Sequence, residues 1–438
     1  MLRSRHAIAL AIGAVLAVGP AHAERFTADQ AVAHALAHNP ELKAGAAEAG
    51  AAEAQVTAAA AERLPRLDLQ YSARRSDSPL DAFAYRLQTR QVTAADFDPA
   101  RLNDPLANTL HTTEVALLWP VYTGGRITAG IDAARAQAAA AQHGLQRARE
   151  QVAYRTQVAY LTAQAAAEAV RIHDAAVEAA QRHANTTGRL LRERRIVSSD
   201  KLTADVNLAL IQANRERAAT RARDALAQLR LVMGLAPGTT LELDPWREPT
   251  APSDATAARE RADIKAQAAR AQAARERITA ARGAYQPQVS VGAARTWYDD
   301  RPALDNGANS IMGVVSLNLY GGGRDQAGVA AAQLQAEADA ARLEALRQQA
   351  ALETDMARNA LDEARARVEI CADNVGKAAR TVELVQGRYG EGRTILIDLL
   401  QAERALVEAR MEKLNAGLNL ATATLGVALA TGTLELPQ

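Results

Sequence analysis

Few side chains in this sequence are spaced for chemistry. His34 and His38 lie four residues apart, which brings two imidazoles to one face of a helix and suits a zinc ion. No third ligand accompanies them, so they read as two solvated surface histidines. Gly124-Gly125-Arg126 and Gly322-Gly323-Arg324 each stand ahead of helical sequence, where glycines and a helix N-terminus can cradle phosphate. Both follow strand-like sequence, and the motif occurs twice, so structural strand-to-helix turns are expected instead. Cys371 is the only cysteine and therefore forms no internal disulfide. It falls on an apolar helical seam and reads as a small packing residue rather than a nucleophile. The charged run Arg189 to Arg195 reads as a solvated helix face or a partner surface. The sequence holds no Gly-x-Ser-x-Gly, His-Glu-x-x-His, P-loop or Cys-x-x-Cys signature. No catalytic, cofactor-binding or metal-binding residue is assigned, and an enzyme is not expected.

The elements that carry these motifs come in duplicate. Val121-Tyr122-Thr123-Gly124-Gly125-Arg126 recurs as Leu319-Tyr320-Gly321-Gly322-Gly323-Arg324, at an offset of 198 residues. The same offset carries Glu193, Arg195, Asp200, Leu202 and Ala204 onto Glu391, Arg393, Asp398, Leu400 and Ala402, without a gap. Upstream the offset becomes 222, with Pro65 matching Pro287. The 24 additional residues of the first copy fall within 76–112, where Pro79, Pro99 and Pro105 predict a loop.

Four segments alternate as strands do. Leu67, Leu69 and Tyr71 form one apolar set, and Thr113, Val115, Leu117, Trp119 and Val121 the next. Val289, Val291, Ala293 and Trp297 form the third, with Arg295 a departure, and Ile311, Val315, Leu317 and Leu319 the fourth. Each is about ten residues long, enough for a tilted membrane-crossing strand, with aromatics near the ends where an interfacial girdle would hold them. Two soluble hairpins would give the same alternation. Between the strands run long proline-free stretches expected to be helical. In the second, Leu361, Val368, Val375 and Val382 repeat every seven residues, as do Ala364, Cys371, Ala378 and Val385, which is a heptad seam with small second positions. A shorter helix returns after each of Asp200 and Asp398.

Composition agrees with long helices. Three Phe and three Trp are poor material for large globular cores, whereas alanine is abundant. Arg3 and Arg5, the apolar run Ala7 to Gly19 and Ala21-His22-Ala23 predict a secretory signal peptide with the mature chain starting near Glu24. Its removal leaves 49 basic against 50 acidic residues, too balanced for nucleic-acid binding. The cleavage region lacks a cysteine, so no lipid anchor is expected there. The expected organisation is a signal peptide at 1–23, a first repeat at 24–235, a linker at 236–256, a second repeat at 257–430 and a tail at 431–438.

Four strands cannot close a barrel, and an open edge in hydrocarbon strands backbone groups at several kcal/mol each. Several copies must share one barrel, and twelve strands from three chains is a sensible count. A non-conducting coiled-coil scaffold or adhesin is the alternative for which the helices alone would suffice.

At the duplicated aromatic-x-Gly-Gly-Arg turn and the duplicated aspartate followed by Leu-x-Ala, the chain resembles the TolC-type outer-membrane efflux proteins over nearly its whole mature length. That resemblance implies an α+β membrane protein: a homotrimeric 12-stranded β-barrel in outer-membrane lipid, on a long α-helical coiled-coil tunnel in the periplasm. It also implies docking to a periplasmic adaptor and an inner-membrane transporter, and no cofactor. The chain reverses near Asp200 and Asp398, where such a tunnel narrows, and three copies of Asp398 on an axis would make a negative ring. In the family a tip tyrosine and an arginine are tied to an aspartate of the first repeat. Tyr389 matches that tyrosine and Asp200 that aspartate. Thr394 stands at the arginine's expected place, with Arg393 one position early, and Gln401 stands where a second ring aspartate would be. A purely structural tip-turn role for Asp200 is the alternative.

Overall fold

The computed structural model describes residues 24–249 and 259–437; the expected signal peptide and residues 250–258 lie outside the described residues. The elements are β1 (Glu24–Phe26), α1 (Ala28–His38), α2 (Pro40–Ala61), β2 (Arg66–Ser76), α3 (Pro79–Gln88), α4 (Pro99–Asn103), β3 (Asn108–Tyr122), α5 (Arg126–Arg192) and α6 (Ser198–Met233). They continue with β4 (Leu241–Leu243), α7 (Ala262–Arg282), β5 (Gln288–Asp299), β6 (Gly307–Ser316), α8 (Arg324–Gly390) and α9 (Leu396–Ala430). The duplication is physical: α5 and α8 each have 67 residues, and both ends differ by the offset read from the motifs. At 1.5 Å per residue each is about 100 Å long. None of the described helices is long and apolar enough to cross a membrane, which leaves a β-barrel untouched.

The chain divides into two compact units, and each draws on both repeats. The first takes in the described parts of Met1–Pro40, Arg149–Ala258 and Thr354–Gln438; the second is Glu41–Ala148 with Arg259–Glu353.

The second unit holds a four-stranded antiparallel sheet in the order β2-β3-β5-β6. Register decides which residues share a face, because the side-chain period of a strand is two. Leu67, Leu117, Ala293 and Ile311 lie in one row across the sheet, and Tyr71, Thr113, Trp297 and Gly307 in another. The members of the four alternating sets that pair in the sheet thus fall on a single face, Val121 being passed over by a bulge between Pro120 and Tyr122. The opposite face carries Gln70, Glu114 and Thr296, with Thr296 Oγ1 donating to Glu114 Oε2 at 3.2 Å. Arg295 intrudes on the apolar face in the row of Leu69 and Val115, and its guanidinium lies 5.1 Å from the Trp297 ring centroid, a cation–π contact.

Two expectations for this unit need correction. The fourth strand stops at Ser316, so Leu317 and Leu319 are not in it. The cause is the partner: β5 begins at Gln288, which pairs with Ser316, and among the described residues no strand pairs with the residues that follow. Residues 76–112 are also not a plain loop. They hold α3, a 3-10 turn over Ala94–Phe97, α4 and the start of β3. Pro79 and Pro99 begin α3 and α4, the position where a missing N–H costs no hydrogen bond, and Asp98 caps α4 by accepting from Ala100 N at 3.0 Å. Proline marked helix starts here rather than a loop. At the start of α7, Arg261 is buried and donates to Asp263 at 2.7 Å and to Glu353 at 2.5 Å, joining the start of α7 to α8.

The first unit is helical around a small core. Tyr160 on α5 is fully buried among Ala31, Leu229, Met233 and Leu241. Its hydroxyl donates to Phe26 O at 2.8 Å and accepts from Asp244 N at 3.2 Å, anchoring the parallel β1–β4 pair; burial pushes the phenol's pKa up. The described part of the stretch expected as a linker, 236–249, therefore contains β4 and is strapped down, while 250–256 lie outside the described residues. Asp244 O accepts from Gln164, and Trp246 lies against Gly417, where an added Cβ would come within 3.2 Å of the indole. On α8 the heptad positions are the buried side: Leu361 and Ala364 pack with Leu420 of α9, Val368 joins them, and Cys371 is buried one step on.

Candidate functional site

The helical hairpins end in two equivalent turns. After α5, Arg194 N donates to Leu191 O and Arg195 N to Leu190 O; after α8, Gly392 N donates to Tyr389 O and Arg393 N to Arg388 O. Both are Schellman closures, which satisfy the last helical carbonyls through one residue of left-handed backbone. The chain then re-enters α6 and α9 with Val197 and Ile395 at the caps, so that Asp200 and Asp398 each sit in a first turn, where a carboxylate suits the helix dipole.

Beyond that shared position the two aspartates differ. Asp398 is exposed and accepts from Thr394 Oγ1 at 2.5 Å. Asp200 is half-buried, and Ile196 stands where Thr394 does, so no equivalent hydroxyl reaches it. Asp200 instead faces Tyr389. Burial raises the Tyr389 pKa, and the negative charge of Asp200 raises it further, since both disfavour phenolate. No hydrogen bond joins the two among the described residues. Tyr389 packs on Ala204 of α6 and Leu396 and Leu400 of α9, a wedge among three helices. Arg393 turns away to Glu391, with Nη1 to Oε2 at 3.1 Å, and both side chains are exposed, so the pair adds little. Gln401 is exposed on α9.

A cleft of about 1800 Å³ opens beside these turns, lined by Asp200, Asn207, Tyr389, Thr394, Glu403 and Arg410 among others. Across it His183 Nε2 donates to Glu403 Oε1 at 2.6 Å, linking α5 to α9, with both side chains largely buried. This link was missed in the sequence, where His183 sits in no motif. A signal for Tyr389 was present: it falls seven residues after Val382 and continues the heptad series.

The remaining candidates take other positions. Gly124 and Gly125 have φ of +63° and +80°, and Gly322 and Gly323 +62° and +85°, so each motif turns through two left-handed residues before α5 or α8. A Cβ on Gly124 would lie 2.4 Å from Gln286 Cβ and 2.8 Å from Gly283 O, whereas Gly322 has open space. Arg126 and Arg324 are the first residues of α5 and α8, and Arg324 Nε lies 3.4 Å from Asp325. His34 is not solvated as expected. It is half-buried with Nδ1 3.2 Å from Met233 O, on the last carbonyls of α6, which need a partner; His38 stacks on it with ring centroids 4.2 Å apart. Cys371 is buried on the seam.

Among the described residues both edges of the sheet are unpaired, and the sheet is joined twice through glycine turns to the long helices α5 and α8. The chain belongs to the outer membrane efflux protein family, which it matches over residues 31–235 and 255–433. It is accordingly an outer-membrane protein of the efflux-channel class. No curated protein matches it in sequence. Among solved structures, its fold is similar to a membrane protein from Pseudomonas aeruginosa, at 20% identity over 92% of both chains and a TM-score of 0.81. The outer membrane channel CmeC of Campylobacter jejuni is similar at 18% identity, over 94% of this chain and 87% of the other, with a TM-score of 0.80. The outer membrane channel MtrE of Neisseria gonorrhoeae, in its open state, is similar at 17% identity, over 94% and 90%, with a TM-score of 0.77.

Proposed function

We propose that this chain is the outer-membrane subunit of a tripartite export system, a passive homotrimeric duct for substrates delivered by an inner-membrane transporter through a periplasmic adaptor. The observation that carries this reading is the pair of open edges: β2 and β6 each have one neighbour, in a sheet whose apolar face is exposed. In outer-membrane lipid those edges demand partners, and twelve strands from three chains close a barrel. The paired helices then enclose the periplasmic duct. Its gate lies at the helix turns, with Asp200 and Tyr389 holding the tip together, Asp398 forming an axial ring of charge and Arg393 at the rim. MtrE, a fold relative, has an open state, which supports reading the turn region as a movable closure. No cofactor and no catalysed step enter the mechanism, and the energy comes from the transporter. Purified protein in planar bilayers should give discrete conductance steps without nucleotide. Stable insertion without conductance would replace the duct with a scaffold or adhesin.

A further inference from the structure

Arg295 is the one charged member of the four alternating sets, and it stands on the exposed apolar face, one row below Tyr71, Thr113, Trp297 and Gly307. An arginine facing hydrocarbon is costly at mid-bilayer and tolerated near the interface, where its stem lies along apolar surface and its guanidinium reaches the headgroups. The Arg295 side chain takes that course. Its guanidinium lies 5.1 Å from the Trp297 ring centroid and comes up to Gly307, both in the aromatic row toward the β5–β6 turn. That turn is at the end of the sheet opposite the glycine turns that lead into α5 and α8. With the helices in the periplasm, it belongs to the outer leaflet.

Donors gather at Gly307. A Cβ there would lie 3.2 Å from Trp297 Nε1 and 3.4 Å from Arg295 Nη2, so an indole N–H and a guanidinium, neither able to accept, flank a cradle that a side chain would fill. Arg90, in left-handed backbone at φ +59°, donates through Nη2 to Gly307 O at 3.1 Å and brings a second guanidinium. The carboxylates of the turn are engaged elsewhere. Asp299 is buried and accepts from Asn306 Nδ2 at 2.9 Å and Asp305 N at 3.2 Å. Asp300 accepts from Gln91 at 3.2 Å, and Asp305 pairs with Arg301 at 3.2 Å. Among the described residues no carboxylate pairs with Arg295 or Arg90. We infer that this cradle binds the phosphate of an outer-leaflet lipid, with Arg295 and the Trp297 indole as donors and Arg90 adding charge. The inference rests on the trimeric-barrel reading, which sets lipid against this face. The occupant is a lipid rather than free phosphate because the row Leu67, Leu117, Ala293 and Ile311 lies just below Arg295, where acyl chains fit. Bacterial outer leaflets are built from phosphorylated glycolipid, and its headgroup meets the cradle at the depth of the aromatic row. The departure of Arg295 from the strand pattern is then a headgroup anchor.

Native mass spectrometry of the full mature protein in mild detergent counts chains and bound lipids in one measurement. Bisphosphorylated lipid A, its dephosphorylated form and inorganic phosphate are each titrated. Wild type should bind the phosphorylated lipid roughly tenfold more tightly than the dephosphorylated one. Arg295→Gln should weaken that binding about tenfold, the worth of one charge-assisted hydrogen bond. Gly307→Val fills the cradle with a strand-forming residue while keeping both donors. It gives a second reading should the first variant assemble poorly, and the same loss is expected. Arg301→Gln removes an equal charge from the turn and should change binding less than about twofold, as expected for a charge outside the cradle. An Arg301→Gln loss as large as that of Arg295→Gln makes the attraction diffuse and overturns the site. Equal binding of the dephosphorylated lipid overturns it too, and so does saturation by inorganic phosphate at the same concentrations. Unchanged lipid binding by three-chain particles of both Arg295→Gln and Gly307→Val overturns the site and leaves the barrel standing. Particles of one chain overturn the barrel and the lipid site with it.

Discussion

Arg194 and Gly392 occupy the same left-handed backbone position, φ +58° and +74°, in turns one repeat offset apart. One turn uses the residue best suited to that conformation and the other a residue that carries a Cβ penalty of about 1 kcal/mol. Arg194→Gly should therefore stabilise the first hairpin by a few tenths to about 1 kcal/mol, and Gly392→Ala should destabilise the second by about 1 kcal/mol. Denaturant melts of the two variants check the opposite signs.

The tip is expected to respond to loss of its tie. Tyr389 wedges among Ala204, Leu396 and Leu400 with the charge of Asp200 acting on its phenol, so the double variant keeps the ring's packing and removes the polar pair proposed to hold the closure. Asp200→Ala with Tyr389→Phe should raise bilayer conductance above wild type. Conductance equal to wild type would place the closure elsewhere.

Asp398 is exposed and bonded only within its own turn, to Thr394, so its charge is free to act on solution ions. Asp398→Ala should weaken block by multivalent cations, read as a higher half-blocking concentration, while Asp200→Ala should leave that block closer to wild type.

The buried Arg261 should dominate the stability of the sheet-bearing unit. Arg261→Ala removes the cation that Asp263 and Glu353 share and should cost about 2 kcal/mol, less than a fully buried pair because both carboxylates keep contact with water and Asp263 keeps Arg147. Burial works to raise the Asp263 pKa, but the hydrogen bond from Arg261 and the nearby Arg147 outweigh it and hold it below its ordinary value. A carboxylate with a lowered folded pKa contributes stability that is complete above its unfolded value, about 4, and is lost as pH falls through the folded value. Acid unfolding of wild type should steepen in that range, and the gap to Arg261→Ala should narrow there.

Much of the architecture was legible because it is periodic. The Gly-Gly-Arg motifs, 198 residues apart, marked the starts of α5 and α8, although both helices end eight residues short of Asp200 and Asp398, and the heptad at Leu361, Val368 and Val375 marked the buried side of α8. What the sequence obscured depends on contacts that periodicity does not encode. Leu317 and Leu319 alternate as strand residues, yet strand structure also needs a neighbour, and within one chain β5 supplies none. Pro79 and Pro99 punctuate the sequence as loop markers do, but a proline at a first helical turn is equally at home. His183 and Glu403 are 220 residues apart and belong to no repeat pair, so only folding brings them to 2.6 Å.

The central claim is that open sheet edges force several copies to share one barrel. The most direct test is the mass of the detergent-solubilised protein by light scattering, corrected for bound detergent, alongside its circular dichroism. Three chains per particle with the strand signal intact is the result expected. One chain per particle with the same strand signal would contradict the account, because β2 and β6 would then be stable unpaired.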